Sequence, residues 1–259
     1  MELLHNKFSV ENILNDIDTA MSSSVDDIEV SPIAYGIDVI TNEYEVASAS
    51  VVCLKVNIQH CDEVAETLKT YRMLQRTIVG IFQDNDDCID MIIEGNIFIG
   101  VFNTPMRRQI DEILETMAKL NALIDILSAK LKANASSVAI NGLISADYGT
   151  VYLIDCSDAF KPITLKTQSP QDKENSQLKH HVKFGTWHGR PFNRVRKYVE
   201  SVSDEDNPII VSGVLKSNLK EEYKKFFKEQ ADNIALDCYS ANLVNVEMKQ
   251  WIVANKKKE

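Results

Sequence analysis

The stretch from Cys88 to Pro105, CIDMIIEGNIFIGVFNTP, decides the fold that the sequence predicts. It contains two apolar runs, residues 89–93 and 97–102, joined by the polar link Glu-Gly-Asn at 94–96. Two short runs rich in Ile, Val and Phe around a glycine-containing link are typical of a β-hairpin. Taken alone, the stretch is explained by a core hairpin with a solvated tip.

Composition narrows the class of protein. The chain has 259 residues, is 44% hydrophobic and carries a formal net charge of −10. It is long enough for one substantial core with extra segments, and its acidity argues against nucleic-acid or anionic-membrane partners. We find no transmembrane run or signal peptide and expect a cytoplasmic protein with no membrane association. The five scattered cysteines predict free, mostly buried thiols.

Hydrophobic periodicity predicts the remaining elements. After a short helix at 8–20 and an extended strap at 28–42, we expect a strand at 47–58, a helix at 62–81 that ends near Gly80, and, after the hairpin, a long helix at 106–134. A strand region at 137–154 is expected to be broken at Gly142 and at the turn 147–149, and a polar loop covers 161–181. A helix at 191–202, a strand at 208–211, a helix at 220–230 and closing strands within 235–253 follow.

The order of these elements predicts the fold class and the domain organisation. The series β-α-β-β-α-β indicates an α+β protein with a ferredoxin-like antiparallel sheet. We divide the chain into an N-terminal helix and strap at 1–46, a main domain at 47–220, and a C-terminal helix and strands at 221–259 that complete the domain.

Four blocks resemble the catalytic domain of the class III nucleotidyl cyclases, over roughly residues 48–219. The blocks are VVCLKVNI (51–58), EGNIFIGVF (94–102), INGLISADYGTVYLI (140–154) and TWHGRPFNRVRKYV (186–199). Their order and spacing carry the resemblance more than any single block. The DYG turn, the W-x-G motif and the strap that leads into the first strand resemble most the bacterial pyrimidine cyclases of the Pycsar antiphage system. The resemblance implies a class III cyclase-like fold and a site formed between two such domains.

The resemblance also places two metal-binding aspartates, and this chain has neither. In the family these carboxylates hold the Mg²⁺ or Mn²⁺ ions used in cyclisation of a nucleoside triphosphate. Their positions are held here by Lys55 and Asn96. An ammonium repels a divalent cation and an amide oxygen is a weak ligand, so ligation at these positions is doubtful. Asp90 and Glu94 are too poorly placed to replace them, and Lys55 is also explained as a strand-end residue with its ammonium in water.

The half of the site carried by the fourth block is better preserved. The resemblance assigns Asn193 to the ribose and Lys197 to the phosphate as the catalytic pair. Each also has a purely structural explanation, Asn193 as a cap and Lys197 as a surface charge. The positions that select the base in the family fall on Ile92 and Thr186, and an isoleucine cannot read hydrogen bonds, so the base is undetermined.

Three functional hypotheses remain open. The chain is a catalytically degenerate cyclase homologue, acting as a dimer partner or nucleotide-binding regulator in cyclic-nucleotide signalling or antiphage defence. Alternatively it is an active cyclase, converting a pyrimidine nucleoside triphosphate to a 3′,5′-cyclic nucleotide with Mg²⁺ or Mn²⁺, or else an interaction scaffold. The expected partners are a second copy of the chain or another cyclase-like chain, with a nucleoside triphosphate as ligand.

Overall fold

The computed structural model describes residues 30–32, 44–59, 64–133, 136–156, 185–202, 206–229 and 237–256. The helix predicted at 8–20, most of the strap and the polar loop at 161–181 lie outside these residues.

Nine strands within the described residues form one sheet. They are β1 (Val30–Pro32), β2 (Tyr44–Gln59), β3 (Cys88–Glu94), β4 (Ile97–Asn103), β5 (Ala139–Asp155), β6 (Gly185–His188), β7 (Ile209–Ser212), β8 (Lys228–Glu229) and β9 (Cys238–Ala241). Seven of them follow the order β3-β4-β2-β5-β7-β9-β8, while β1 pairs with β2 and β6 with β5. Only the β1–β2 and β5–β7 pairs are parallel among these strands. The predicted α+β class with an antiparallel-dominated sheet is confirmed.

Helices cover both faces of the sheet. They are α1 (Val64–Gln83), α2 (Arg107–Ala133), α3 (Arg190–Ser201), α4 (Gly213–Asn218), α5 (Glu221–Lys224) and α6 (Val246–Lys256). Helices α1, α2 and α4 contribute to the larger core cluster on one face, and α3 packs on the opposite face. No helix in the described part of the chain is long and apolar enough to span a bilayer.

Strand β2 separates the two cores. Val52 and Leu54 are buried on the side of α1 and α2, whereas Val51 and Cys53 are buried on the side of α3. This alternation follows from the two-residue period of a strand, and it confirms the facial assignment of these residues. Lys55 continues the series of Val51 and Cys53, which places it on the α3 side of the sheet.

The hairpin that decides the fold has a two-residue turn. Glu94 pairs directly with Ile97, which leaves Gly95 and Asn96 as the central residues. Gly95 has φ +60°, while Asn96 is not among the described residues with positive φ. A positive φ followed by a negative one is the pattern of a type II′ turn, which favours glycine at the first central position. The polar link is therefore one residue shorter than the sequence indicated.

The expected end of the first helix at Gly80 is wrong. Helix α1 continues to Gln83, and Phe82 in its last turn is 1% exposed. The Phe82 ring meets Phe102 of the hairpin edge-on, with ring centroids 5.8 Å apart. Burial of this aromatic contact favours the added turn over the weak tendency of a glycine to end a helix.

The expected breaks in the 137–154 region are also wrong, because β5 is one continuous strand. It pairs with β2 over the whole run from Tyr44 to Gln59. Gly142 remains in the strand because a Cβ there would meet Ile124 at 3.1 Å and Leu54 at 3.2 Å, so close packing explains the glycine.

The C-terminal elements differ most from the prediction. Residues 220–230 form only the short α5, after which Phe227 is buried and β8 begins. Of the one or two closing strands expected within 235–253, β9 is confirmed, whereas helix α6 begins at Val246. Asn245 accepts a hydrogen bond from the backbone N–H of Met248 at 3.1 Å, and this cap satisfies one of the free donors at the start of α6.

Candidate functional site

Lys55 and Asn96, the two predicted metal positions, lie together on adjacent strands. Lys55 pairs with Ile97, the residue after Asn96. Asn96 is fixed to β2 at two points: its backbone carbonyl accepts from Val56 N at 2.9 Å, and its Nδ2 donates to the carbonyl oxygen of Val56 at 2.8 Å. The carbonyl oxygen of Val56, the residue after Lys55, therefore already accepts a hydrogen bond from the side chain of Asn96.

This set of groups does not fit a divalent cation. Mg²⁺ and Mn²⁺ need several oxygen ligands, preferably carboxylates. The side chains present are an ammonium and an amide whose N–H group is turned toward the nearest carbonyl oxygen. At an effective dielectric constant of 20, two like unit charges 4 Å apart repel by about 4 kcal/mol, and a divalent ion beside Lys55 by about twice that.

Asn193 and Lys197 lie on α3 and face away from the core. The buried side of the helix is formed by Phe192, Val195 and Val199. Asn193 and Lys197, four residues apart on the other side, are exposed and one turn from each other. The helix thus presents an amide and an ammonium together, a pair suited to a sugar hydroxyl and a phosphate.

The glycine of the W-x-G motif allows α3 to start where it does. Gly189 has φ +146°, and a Cβ at this position would lie 2.8 Å from the carbonyl oxygen of Thr150. Pro191 then follows in the first turn of the helix, where its missing N–H group has no consequence. The motif is therefore explained by close contact between the start of α3 and strand β5.

Two contacts join the hairpin to the fourth block. Arg196 donates two hydrogen bonds to the carboxylate of Glu94, at 2.7 and 2.8 Å. The bonds from Arg196 hold the pKa of Glu94 below its ordinary value. Trp187 donates its indole N–H to Asp90 at 2.6 Å and stacks on Phe192, with ring centroids 6.1 Å apart and an interplanar angle of 24°. Sequence reasoning considered Asp90 and Glu94 only as substitute metal ligands and missed these contacts.

A buried carboxylate supports the inner side of α3. Asp147, within the continuous strand β5, is 1% exposed and accepts hydrogen bonds from Ser212 Oγ and, at 2.8 Å, from the backbone N–H of Tyr148. Arg194 of α3 lies 3.8 Å from Asp147 and 3.7 Å from Asp237. Burial raises the pKa of Asp147 above its ordinary value, although the hydrogen bond from Ser212 opposes this change. Arg194 and Arg196 are thus engaged within the chain.

The two residues predicted at base-selecting positions, Ile92 and Thr186, do not lie on one face. Ile92 packs against the α3-side core together with Trp187. Thr186 precedes Trp187 in β6 and is exposed on the other face of that strand, where its hydroxyl lies 3.1 Å from His188 Nε2 and 3.6 Å from Cys156 Sγ. Of the two positions, only Thr186 offers a side-chain hydrogen-bonding group. Its contact with His188 follows from the two-residue period of the strand, which places both side chains on one face.

Comparison with known proteins identifies solved structures that share the fold of this chain. No protein-family model matches the chain, and no curated protein matches it either. Among solved structures, a class III adenylyl cyclase-like ATP-binding protein from Pseudomonas aeruginosa superimposes with a TM-score of 0.60 at 11% identity, over 93% of this chain and 48% of that one. The chain therefore spans about half the length of that protein.

Two cyclases give the same result. The adenylyl cyclase CyaB from P. aeruginosa has a TM-score of 0.54 at 12% identity, covering 77% of this chain and 95% of that one. The guanylyl cyclase Cya2 has a TM-score of 0.54 at 7% identity, covering 78% and 94%. The fold of this chain is that of the class III adenylyl and guanylyl cyclases. At these identities the likeness concerns the fold alone.

Proposed function

We propose that the chain is a catalytically degenerate nucleotidyl cyclase homologue that binds a nucleoside triphosphate without a divalent cation and acts as a dimer partner or regulator. The observation that carries the proposal is the hydrogen bond from Asn96 to the carbonyl of Val56, beside Lys55. These groups occupy the place of the two metal carboxylates in the resemblance. A chain without them lacks the cation that normally stabilises the charge developing on the leaving pyrophosphate.

The exposed pair on α3 supports the binding part of the proposal. Lys197 offers an ammonium to a phosphate group and Asn193 an amide to a ribose hydroxyl, and both side chains are exposed on α3. In a class III dimer the two halves of each site come from different domains. In a heterodimer, this chain would supply Asn193 and Lys197 to a cyclase-like partner that carries both aspartates. In a homodimer, which lacks these aspartates, it would bind the triphosphate without turnover.

The cellular role follows from the resemblance of the DYG and W-x-G motifs. We infer a cytoplasmic role in cyclic-nucleotide signalling of the antiphage type, in which a second chain performs the chemistry. A solved structure with the same fold is described as an ATP-binding protein that is cyclase-like, which supports nucleotide binding as a function for this fold.

The test measures binding and turnover together. Fluorescently labelled ATP, GTP, CTP and UTP are titrated into the purified chain in EDTA and again in Mg²⁺, and the products are analysed by mass spectrometry. We expect binding that EDTA leaves unchanged, no cyclic product, and weaker binding in Lys197→Ala. The matched control is Arg108→Ala, which removes an exposed cation from α2.

Two outcomes would contradict the proposal. Cyclic product that disappears in Asn193→Ala would show an active cyclase. Absence of binding for all four triphosphates would leave the interaction scaffold as the better hypothesis.

A further inference from the structure

The hairpin and helix α3 are joined by two contacts, each ending next to a candidate nucleotide-binding residue. Trp187, bonded to Asp90 at 2.6 Å, stacks on Phe192, which precedes Asn193 in the chain. Arg196, bonded to Glu94 at 2.7 and 2.8 Å, immediately precedes Lys197. We name these the Asp90 contact and the Glu94 contact.

We propose that Asp90 and Glu94 are positioning residues, which act through Trp187 and Arg196 to fix the rotation of α3 about its axis and so the direction of Asn193 and Lys197. This inference rests on the proposed function, since it concerns how those two residues meet a nucleotide. Asp90 and Glu94 themselves belong to β3, and their carboxylates accept hydrogen bonds from Trp187 of β6 and Arg196 of α3.

Different groups hold the inner and outer sides of α3. On the inner side, Phe192, Val195 and Val199 pack against the sheet, and Ser145 Oγ donates a hydrogen bond to the carbonyl oxygen of Val195 at 2.7 Å. The two contacts add directional bonds next to the exposed pair, on the side of α3 that carries Phe192 and Arg196, which are four residues apart. The Glu94 contact is bidentate, which restricts the guanidinium plane as well as its distance. A helix turns by about 100° per residue, so two side chains four residues apart lie only about 40° apart around its axis. A small rotation of α3 therefore displaces Asn193 and Lys197 together.

The Asp90 contact requires a carboxylate, because both oxygens of Asp90 accept hydrogen bonds. Its Oδ2 accepts from Trp187, and its Oδ1 accepts from the backbone N–H of Met91 at 2.7 Å. An asparagine offers an oxygen at only one of these two positions, so its NH2 group would face one of the two donors. Asp90→Asn should therefore release either Trp187 or the bulged start of β3, where the register shifts between Cys88 and Asp90.

The test compares three forms of the full chain. Dissociation constants for a fluorescent nucleoside triphosphate are measured for wild type, Glu94→Gln, and the exchanged pair Glu94→Arg with Arg196→Glu. We expect Glu94→Gln to weaken binding about threefold, in the range that an exposed ion pair supports, and the exchanged pair to return within about twofold of wild type. Glu112→Gln, which removes an exposed ion-pair partner on α2, is the matched control and should leave binding unchanged.

A spectroscopic measurement separates positioning from general stability. The chain contains two tryptophans, so Trp187 is the sole tryptophan in a Trp251→Phe background. Nucleotide addition should change the fluorescence emission of Trp187, which belongs to the Asp90 contact. Glu94→Gln should reduce that change, although Glu94 belongs to the Glu94 contact and does not bond to Trp187. Amide hydrogen exchange at 193–197 should be faster in Glu94→Gln and return to the wild-type rate in the exchanged pair.

The outcomes decide the inference in either case. If wild type binds a triphosphate and Glu94→Gln binds it within twofold, the positioning role is wrong. If wild type binds none, the proposed function fails, and amide exchange decides the positioning role alone. In that case unchanged exchange at 193–197 in Glu94→Gln overturns it, and faster exchange that the exchanged pair reverses supports it.

Discussion

Replacing Lys55 and Asn96 by aspartate should make the stability of the chain depend on a metal ion. Asn96→Asp removes the Nδ2 donor that lies 2.8 Å from the carbonyl oxygen of Val56 and places a carboxylate oxygen there instead. Loss of a partner for a buried polar group costs about 1–3 kcal/mol. In a domain of about this size, 1 kcal/mol corresponds to roughly 2–4 °C in melting temperature. Asn96→Asp alone should therefore lower the melting temperature by roughly 2–12 °C.

The double variant should recover that loss when Mn²⁺ is present. Two carboxylates at Lys55 and Asn96, together with the carbonyl of Val56, supply three hard oxygen ligands on adjacent strands. A ligand at 100 times its dissociation constant stabilises the folded state by about 2.7 kcal/mol, which corresponds to roughly 5–11 °C. The single variants should respond far less, because Lys55 still repels the cation in one and Asn96 still presents an amide in the other.

Thermal unfolding with and without Mn²⁺ is the assay, and titration calorimetry with a nucleoside triphosphate and Mn²⁺ measures the affinity. Wild type and both single variants serve as controls. A double variant that folds normally while its melting temperature ignores Mn²⁺ would refute the reasoning. It would mean that Lys55 and Asn96 do not occupy the metal positions of a cyclase. The proposed relation of β2 and the hairpin to the corresponding strands of the cyclase family would then also be wrong.

Three further predictions follow from the described contacts. Gly100→Ala should destabilise the fold by about 1–3 kcal/mol in urea unfolding, because its Cβ would lie 2.7 Å from the ring of Phe102; a change below 0.5 kcal/mol would contradict this. Cys53 should resist iodoacetamide at pH 8 while half-buried Cys156 is alkylated, since burial raises the pKa of Cys53 to about 12; mass spectrometry of the native protein checks this. Burial raises the pKa of Asp147 above 3.8, so folding favours its protonated form. The free energy of unfolding of wild type, relative to that of Asp147→Asn, should therefore fall as the pH rises from 3.8 through the raised pKa. A difference between the two that does not change with pH in urea titrations would disprove the effect.

Local patterns in the sequence were sufficient for the central elements of the fold. The hairpin and the long helix α2 follow from runs and periodicities that do not depend on distant residues. The pairing of Lys55 beside the hairpin turn also follows, because the resemblance aligned β2 with the hairpin. The C-terminal segment did not follow in the same way. There β9 was predicted but α6 was not, because the start of α6 is held by a distant contact, the hydrogen bond from the backbone N–H of Asn245 to the carbonyl oxygen of Ala118 in α2.

The contacts that shape the candidate site could not be predicted, because they join residues far apart in the chain. Trp187 and Asp90 are separated by 97 positions, and Arg196 and Glu94 by 102. Each residue has an ordinary explanation on its own strand or helix. Likewise, the sequence could not show that Asn96 turns its N–H group toward Val56, since that bond depends on the register of β2 against β4.

The long pairing of β2 with β5 has a consequence during synthesis of the chain. The nearest paired residues, Gln59 and Ala139, are 139 − 59 = 80 positions apart. At 5–20 residues per second, a ribosome needs roughly 4–16 s to make that interval. During this time β2, whose residues 49–54 are fully buried in the native fold, has no partner along that edge, whereas the hairpin, which is synthesised before β5, can already cover the other edge. Nascent β2 is therefore the segment we expect a chaperone to protect before β5 emerges.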